Sequence, residues 1–275
     1  MSYPPKYSIV IPAFNEGQRI TTTLDKLLSY IEAEGWNAEV IVVDDGSWDD
    51  TQMIVRRYAE RYSFVRFLQN PGNRGKGYSV RNGVLNAAGE VVLFTDADLS
   101  SPIQEAKKLF AALNEGTEVA IGSRWLQRKL QTERQPIYRQ LVGRIFNLLL
   151  RLLLGLRYKD TQCGFKAFTA SAAGTLFSRQ KIEHWGFDPE LLFLAAKYGF
   201  KVREVAVEWG HDPRSRINPL KDGLKMALEV LKVRWYDVSG QYGRTLNYPI
   251  CKSQHIYREP RSRIEDRRVD STIGR

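Results

Sequence analysis

The sequence predicts an α/β fold in a single domain, with a mostly parallel central sheet flanked by helices. Two observations carry that expectation. Through the first half, short β-branched runs alternate with segments of helical spacing, as they do when crossover helices join parallel strands. Three of those runs end in acidic residues, at the carboxyl edge where an open parallel sheet binds its ligands. The 275 residues, 43% of them hydrophobic, are enough for the core such a domain needs.

The strand candidates, in order, are Tyr7 to Ile11, Val40 to Val43, Phe64 to Leu68, Val91 to Thr95 and Val119 to Ile121. Between them, Glu16 to Glu34, Thr51 to Tyr62, Gly77 to Ala88 and Ile103 to Asn114 carry the apolar spacing of helices. The last opens on Ser101-Pro102-Ile103-Gln104, a capping signal with proline near the first helical position. Beyond Arg124 a basic stretch leads into a helical segment from Ile137 to Leu156. There Ile137, Leu141, Ile145, Leu148 and Leu152 cluster on one arc, and Gln140, Arg144, Asn147 and Arg151 fall on another side. Residues 137–157 can therefore bury their arc against the sheet or lay it on a membrane. Phe187 to Tyr198 follows as a helix, Val202 to Trp209 as a strand and Leu224 to Trp235 as a helix. The domain is expected to span 1–236, and 237–275 to form a basic, flexible tail with little periodicity.

Charge and composition narrow the partners. Forty-one Lys and Arg against 31 Asp and Glu give a net charge of +10, which suits phosphorylated ligands, anionic membranes or nucleic acid. Nine cations and two anions between Arg124 and Asp160 concentrate most of that excess. Cys163 and Cys251 lie far apart with no CxxC spacing, so neither a zinc site nor a disulfide framework is expected, and a reducing cytoplasm fits. The N-terminal residues do not read as a secretory leader, and no apolar run reaches the roughly 20 residues of a membrane span. His184, His211 and His255 are isolated, which leaves no histidine metal site and no Ser-His-Asp triad.

The chemistry concentrates at strand ends. Pro12-Ala13-Phe14-Asn15-Glu16 ends the first strand, Val43-Asp44-Asp45-Gly46-Ser47 the second and Thr95-Asp96-Ala97-Asp98 the fourth. A lone aspartate there is ordinarily a turn former, but three acidic clusters on one edge are more than turns require. Asp96 and Asp98 would alternate across an extended strand, so a turn must bring both carboxylates toward one ion. Hard oxygen ligands with open positions suit Mg²⁺ or Mn²⁺, and such an ion stabilises a departing diphosphate. Asn73-Arg74-Gly75-Lys76-Gly77 opens a helix, where backbone N–H groups and two cations can meet phosphate, although no P-loop pattern is present.

These segments, with Gly122-Ser123-Arg124 and Asp160-Thr161-Gln162-Cys163-Gly164-Phe165-Lys166, resemble in order and spacing the family 2 glycosyltransferases. Within that family the pattern resembles the dolichyl-phosphate β-glucosyltransferases, and more distantly the polyprenyl-phosphate mannosyl- and glucosyltransferases. The likeness runs from about Tyr7 to about Trp235, and its most specific part is the Asp160 block with His184-Trp185-Gly186-Phe187-Asp188-Pro189-Glu190. It implies a Rossmann-like GT-A fold, a nucleotide-sugar donor, a divalent metal and inversion at the anomeric carbon. Carried over, Pro12, Asn15, Glu16, Asp44, Asp45, Lys76, Asp96, Ala97 and Asp98 would bind the donor, with Asp96 and Asp98 holding Mg²⁺ or Mn²⁺. Ser123, Arg124 and Arg216 would meet an acceptor phosphate; Arg216 stands where the related enzymes often carry lysine, which keeps the charge but changes the geometry. Asp160 and Asp188 join Asp96 and Asp98 as catalytic candidates, Asp160 as an orienting group or base.

A phosphate acceptor, with a second pKa of about 6, is largely dianionic at neutral pH and needs positioning more than deprotonation. The expected enzyme is therefore peripheral on the cytoplasmic face of a membrane, moving glucose from UDP-glucose to a lipid phosphate. GDP-mannose as donor and a sugar hydroxyl as acceptor stay open. A nucleotidyltransferase would place its glycine-rich loop directly after the first strand, where Pro12-Ala13-Phe14-Asn15-Glu16 stands instead. A basic module binding nucleic acid or membrane would share the charge, but the acidic strand ends oppose phosphate without a metal and no nucleic-acid motif is present.

Overall fold

A computed structural model describes residues 4–127, 148–210 and 219–243. Its elements run β1 (Tyr7–Ala13), α1 (Ile20–Ala33), β2 (Ala38–Asp44), α2 (Thr51–Arg61), β3 (Val65–Gln69), α3 (Lys76–Leu85), β4 (Val91–Thr95), α4 (Ala106–Asn114) and β5 (Val119–Ser123). Helical residues 148–154 form α5, followed by β6 (Phe165–Thr169), α6 (Ala170–Arg179), α7 (Phe187–Lys197), β7 (Val202–Ala206) and α8 (Pro219–Val238).

One seven-stranded sheet has the order β3-β2-β1-β4-β6-β5-β7. β1 pairs in parallel with β2 and β4, β2 with β3, and β5 with β7, whereas β6 runs antiparallel to both β4 and β5. The chain leaves β1 toward β2 and β3, then returns to β4 on its other side, so the ligand crevice of a doubly wound sheet opens between β1 and β4. Because β6 is antiparallel, its first residue, Phe165, pairs with Thr95, the last of β4. The segment before β6 therefore arrives beside Asp96 at that crevice.

Each face of the sheet carries its own core, as the period-two alternation of strand side chains requires. Val10, Ile41, Val43, Phe94, Ile121 and Phe168 pack under α3, α5, α6, α7 and α8. Ile9, Ile11, Val40, Val42, Leu93 and Ala167 pack under α1, α2 and α4. All seven residues of β2 are buried, which accounts for its unbroken apolar run.

The α/β expectation and its first five strands match, with boundaries shifted by a few residues. β6 and α6 were not anticipated. The capping box is not made: Ile103–Glu105 forms a single 3₁₀ turn without a side-chain cap, and α4 begins only at Ala106. The helix expected to Leu156 stops at 154, where Gly155 takes a positive φ of 69°. Its first part, 137–147, lies outside the described residues, as do Arg216, His211, Cys251, His255 and residues 244–275 of the expected tail. The start of that tail, 237–243, is instead packed, with α8 running to Val238 and Tyr242 buried in the core, its hydroxyl donating to Glu190 at 2.6 Å.

Candidate active site

The carboxyl ends of β1, β2 and β4 surround a cleft of about 370 Å³. Pro12, Ala13, Phe14 and Glu16 line it from the β1 end, and Asp45 from the β2 end. Asn73, Gly75, Lys76 and Ser79 contribute from α3 and its leading loop, Asp96, Ala97 and Asp98 from the β4 end, and Arg19, His184 and Trp185 complete it. The loops are tied to one another. The Asn15 N–H donates to Ser47 Oγ at 2.8 Å, and Asn15 Oδ1 accepts the Trp48 N–H at 3.0 Å, so the β1 and β2 loops form one wall. Asp44 is fully buried and accepts the Gly46 and Ser47 N–H groups at 3.1 and 3.2 Å. It closes its own turn and does not line the cleft, a correction to its expected place among donor-binding groups. Asp45 accepts from Asn70 Nδ2 at 2.8 Å and from the Arg74 and Gly75 N–H groups at 2.9 and 2.8 Å, which anchors the glycine-rich loop to β2.

Asp96 and Asp98 reach the cleft through a turn in which the Leu99 N–H donates to the Asp96 carbonyl at 3.1 Å and the Ser100 N–H to Asp98 Oδ1 at 2.9 Å. Leu99 has a positive φ of 48°, so the backbone reverses rather than extending the strand. Lys76 Nζ lies 2.5 Å from Asp96 Oδ1 and 5.2 Å from the centre of the Trp185 ring. Burial opposes the Lys76 charge, but Asp96 and Asp188 outweigh it and raise its pKa. Burial, then the Asp96 charge, raises the Asp98 pKa. Two carboxylates crowded in this way gain from a divalent cation, which takes oxygen ligands and tolerates exchangeable positions. Among the described residues no cluster of three or more His, Cys, Asp or Glu could hold a metal. Gly164 packs directly on Asp96: a Cβ there would overlap the carboxylate.

The segment Asp160 to Gly164 connects this pair to a second polar cluster. Arg124 grips Asp160 through both arms, Nε to Oδ2 at 2.6 Å and Nη2 to Oδ1 at 2.8 Å, and its backbone N–H adds a third bond at 3.0 Å. Burial would raise the Asp160 pKa, but Arg124 reverses this and holds it low. Asp160 is thus a clasped carboxylate, not a free base, which corrects the second of its two expected roles. The Arg124 guanidinium also stands 5.4 Å from the centre of the Trp209 ring. Ser123 is buried and donates to Glu204 Oε1 at 2.6 Å, and Glu204 also accepts the Lys159 and Asp160 N–H groups at 3.0 and 2.8 Å. Asp188 is buried against Lys166, Nζ to Oδ1 at 2.5 Å, and Lys166 donates to the Cys163 carbonyl at 2.6 Å. Burial raises the Asp188 pKa against the pull of Lys166 and Lys76.

Several contributors escaped residue-level reading. Glu204, Glu183 and Lys166 act as partners from far along the chain. Arg74, expected as one of two cations that can meet phosphate, is paired with Glu183 at 2.6 Å. His184 and Trp185 stood only within a resemblance motif, yet both line the cleft. Thr161 Oγ1 and Gln162 Nε2 are buried beside the Arg124 clasp with no hydrogen-bond partner among the described residues.

The sequence model of the family described as Glycosyl transferase family 2 matches residues 8–186. The chain belongs to that family. The match covers the cleft and its acidic pair, and the strand order around them is that of the GT-A fold. Among curated relatives of this family 2 glycosyltransferase is the dolichyl-phosphate beta-glucosyltransferase of Homo sapiens, 34% identical over 248 residues, 86% of this chain and 76% of the human one. A Trichomonas vaginalis protein of the same description is 37% identical over 246 residues, 85% of this chain and 72% of its own. Among solved structures, glucosyl-3-phosphoglycerate synthase from Mycobacterium tuberculosis superposes with a TM-score of 0.62 at 22% identity, over 88% of this chain and 82% of that one. That protein was crystallised with Mn²⁺, uridine diphosphate and glucosyl-3-phosphoglycerate. At that identity the likeness speaks for the fold alone.

Proposed function

We propose that this glycosyltransferase moves glucose from UDP-glucose, with inversion, onto a polyprenyl phosphate of the dolichyl type. The observation that carries the reading is the adjacency of two clusters: the carboxylates of Asp96 and Asp98 with Lys76, and, one short segment away, the buried Arg124–Asp160 clasp. The curated relatives' descriptions supply the sugar and lipid class.

On the donor side, Pro12, Phe14 and Glu16 with Asp45 form the wall for the nucleoside, and Asp96 and Asp98 would hold Mg²⁺ or Mn²⁺. Bound there, the ion neutralises the charge that develops on the leaving diphosphate. Lys76 lies close enough to add a second positive charge to the same oxygens. On the acceptor side a phosphate already carries its nucleophilic oxygen, so Arg124 aims and compensates charge and Asp160 fixes the guanidinium plane. Ser123 and Asp188 act through Glu204 and Lys166 as positioning groups. Among the described residues no helix is long and apolar enough to cross a membrane, and the chain is read as working peripherally on the cytoplasmic face, where nucleotide sugars and the lipid headgroup meet.

The test is a donor screen against a short-chain polyprenyl phosphate with Mg²⁺ or Mn²⁺, reading the nucleoside diphosphate released and the anomeric configuration of the product. UDP release with a β-linked glucosyl phosphate is expected. GDP release would assign mannose instead, pyrophosphate release would make the chain a nucleotidyltransferase, and turnover only with hydroxyl acceptors would reject the lipid phosphate.

A further inference from the structure

α8 shows two faces. Val230 and Val233 enter the core that also takes Leu150 and Leu154 of α5. On the same inner side Glu229 accepts the Gly186 N–H at 2.7 Å, and Asp237 pairs with Lys197 at 2.5 Å. The outer side carries Leu224, Leu228, Leu231, Trp235 and Val238, between 50% and 76% exposed. Their spacing of four, three, four and three residues keeps all five on an arc of about 80° at 100° per residue. Lys225 and Lys232 flank the arc on one side and Arg234 on the other, and all three are exposed. Both described acids of the helix lie on the inner half.

We propose that this outer face of α8 is a docking surface for an anionic lipid bilayer, with the leucines and Trp235 entering the headgroup boundary and the flanking cations meeting lipid phosphates. The inference deepens the lipid-acceptor reading and rests on it for its biological setting. Its physical basis is separate. An exposed apolar stripe with cations on both borders and no acid is the pattern of an in-plane amphipathic helix, with tryptophan at the interface. A second copy of the chain would fit the spacing but not the charge: two such faces would set Lys225 and Lys232 against their own kind with no acid on the arc to answer them, Arg234 being paired with Asp237 at 3.1 Å on its own helix. The outward Leu148 and Leu152 of α5, 56% and 74% exposed beside exposed Arg151, repeat the composition on a helix that shares the same core.

The experiment is sedimentation of the full chain with vesicles of phosphatidylcholine alone and of phosphatidylcholine with phosphatidylglycerol. Binding is expected on the anionic vesicles and weakens with salt. The outward double variant Leu228→Glu/Leu231→Glu should lose at least about tenfold in partitioning while keeping the parent's Tm, because only exposed apolar groups change. Its transfer to the short-chain polyprenyl phosphate in solution should be unchanged. A milder variant, Lys225→Gln/Lys232→Gln, should lose the preference for anionic vesicles. Equal binding by parent and double variant, no binding by the parent, or a parent dimer that the double variant splits would each overturn the proposal, the last in favour of a second copy. The two readings fail separately: vesicle binding without phosphate glucosylation rejects the acceptor, and glucosylation without vesicle binding rejects the docking face.

Discussion

Asp98 carries a charge opposed by burial and by Asp96, the condition that a divalent cation relieves. Asp98→Asn should keep the fold, with Tm unchanged, while metal-dependent transfer falls by about two orders of magnitude or more. Undiminished turnover would remove the pair from the chemistry. Gln162 offers a different test, since its Nε2 is buried next to the clasp without a protein partner. If it serves a bound substrate, Gln162→Leu should cost the apo protein little, and lower kcat/KM by about tenfold or more, the value of a hydrogen bond to a charged group. A Tm loss with unchanged kcat/KM would make it structural instead. At this scale the acids were legible because strand ends are marked by turn residues and preceded by apolar runs. Their partners were not: Lys166 to Asp188, Ser123 to Glu204 and Arg74 to Glu183 are separated by 22 to 109 residues, and no local pattern announces them.

Among the elements, β1, β2, β4 and β5 could be read because each is largely an apolar run bounded by turns, and β3 because Val65, Phe67 and Leu68 keep an apolar pattern around Arg66. β6 could not, since its five residues, Phe165 to Thr169, carry Lys166 near the start, and a lysine in a buried strand looks like a surface position until Asp188 and the Cys163 carbonyl are seen to satisfy it. α4 misled for the reverse reason: the capping residues are present, but Ser101 is buried beside Cys163, 3.9 Å from its sulfur, and the chain enters a 3₁₀ turn first. β4 is the strand that holds both clusters in register. Phe94 is fully buried there, stacking on Phe168 at 6.2 Å and meeting Phe187 at a tilt with ring centres 5.8 Å apart. Phe94→Ala should lower stability by about 3–5 kcal/mol in denaturant titration, as for large-to-small core changes generally; a loss below about 1 kcal/mol would contradict this packing. α2 meets α1 through Tyr58, whose hydroxyl donates to Asp25 at 2.5 Å. Burial, and then Asp25, push its pKa up to about 12. A group whose pKa rises on folding contributes stability below its unfolded value, about 10 for tyrosine, and loses that contribution as pH climbs through the folded value. The Tm gap between the parent and Tyr58→Phe should therefore narrow between pH 10 and pH 12, and a gap constant across that window would refute the linkage.

Across the whole molecule, donor and metal should act as one stabilising ligand, because the cleft draws on β1, β2, α3, β4 and the segment before α7. Uridine diphosphate with Mn²⁺ at about a hundredfold over its Kd should add about 2.7 kcal/mol, a Tm rise of roughly 5–10 °C for a domain this size. Chelation should cancel most of it. A rise with nucleotide alone, insensitive to chelator, would argue against an ion on Asp96 and Asp98.

The position of β6 has one more consequence, for the order in which the chain can assemble. It sits between β4 and β5 in space yet follows both in sequence, so a ribosome that has released only the first five strands presents a sheet split in two. β4 and β5 then each expose an open edge, the surface on which strands of other chains pair. Residues 165–169 must slot in from some 40 to 70 positions downstream before either edge is sealed, a non-local closure of the kind that slows folding. Nascent chains arrested before Thr169 should accordingly be protease-sensitive and prone to aggregate, and those arrested after α8 has emerged, with β7 also paired to β5, should not. The strand that anchors the segment joining the two polar clusters of the finished enzyme is also the keystone of its synthesis.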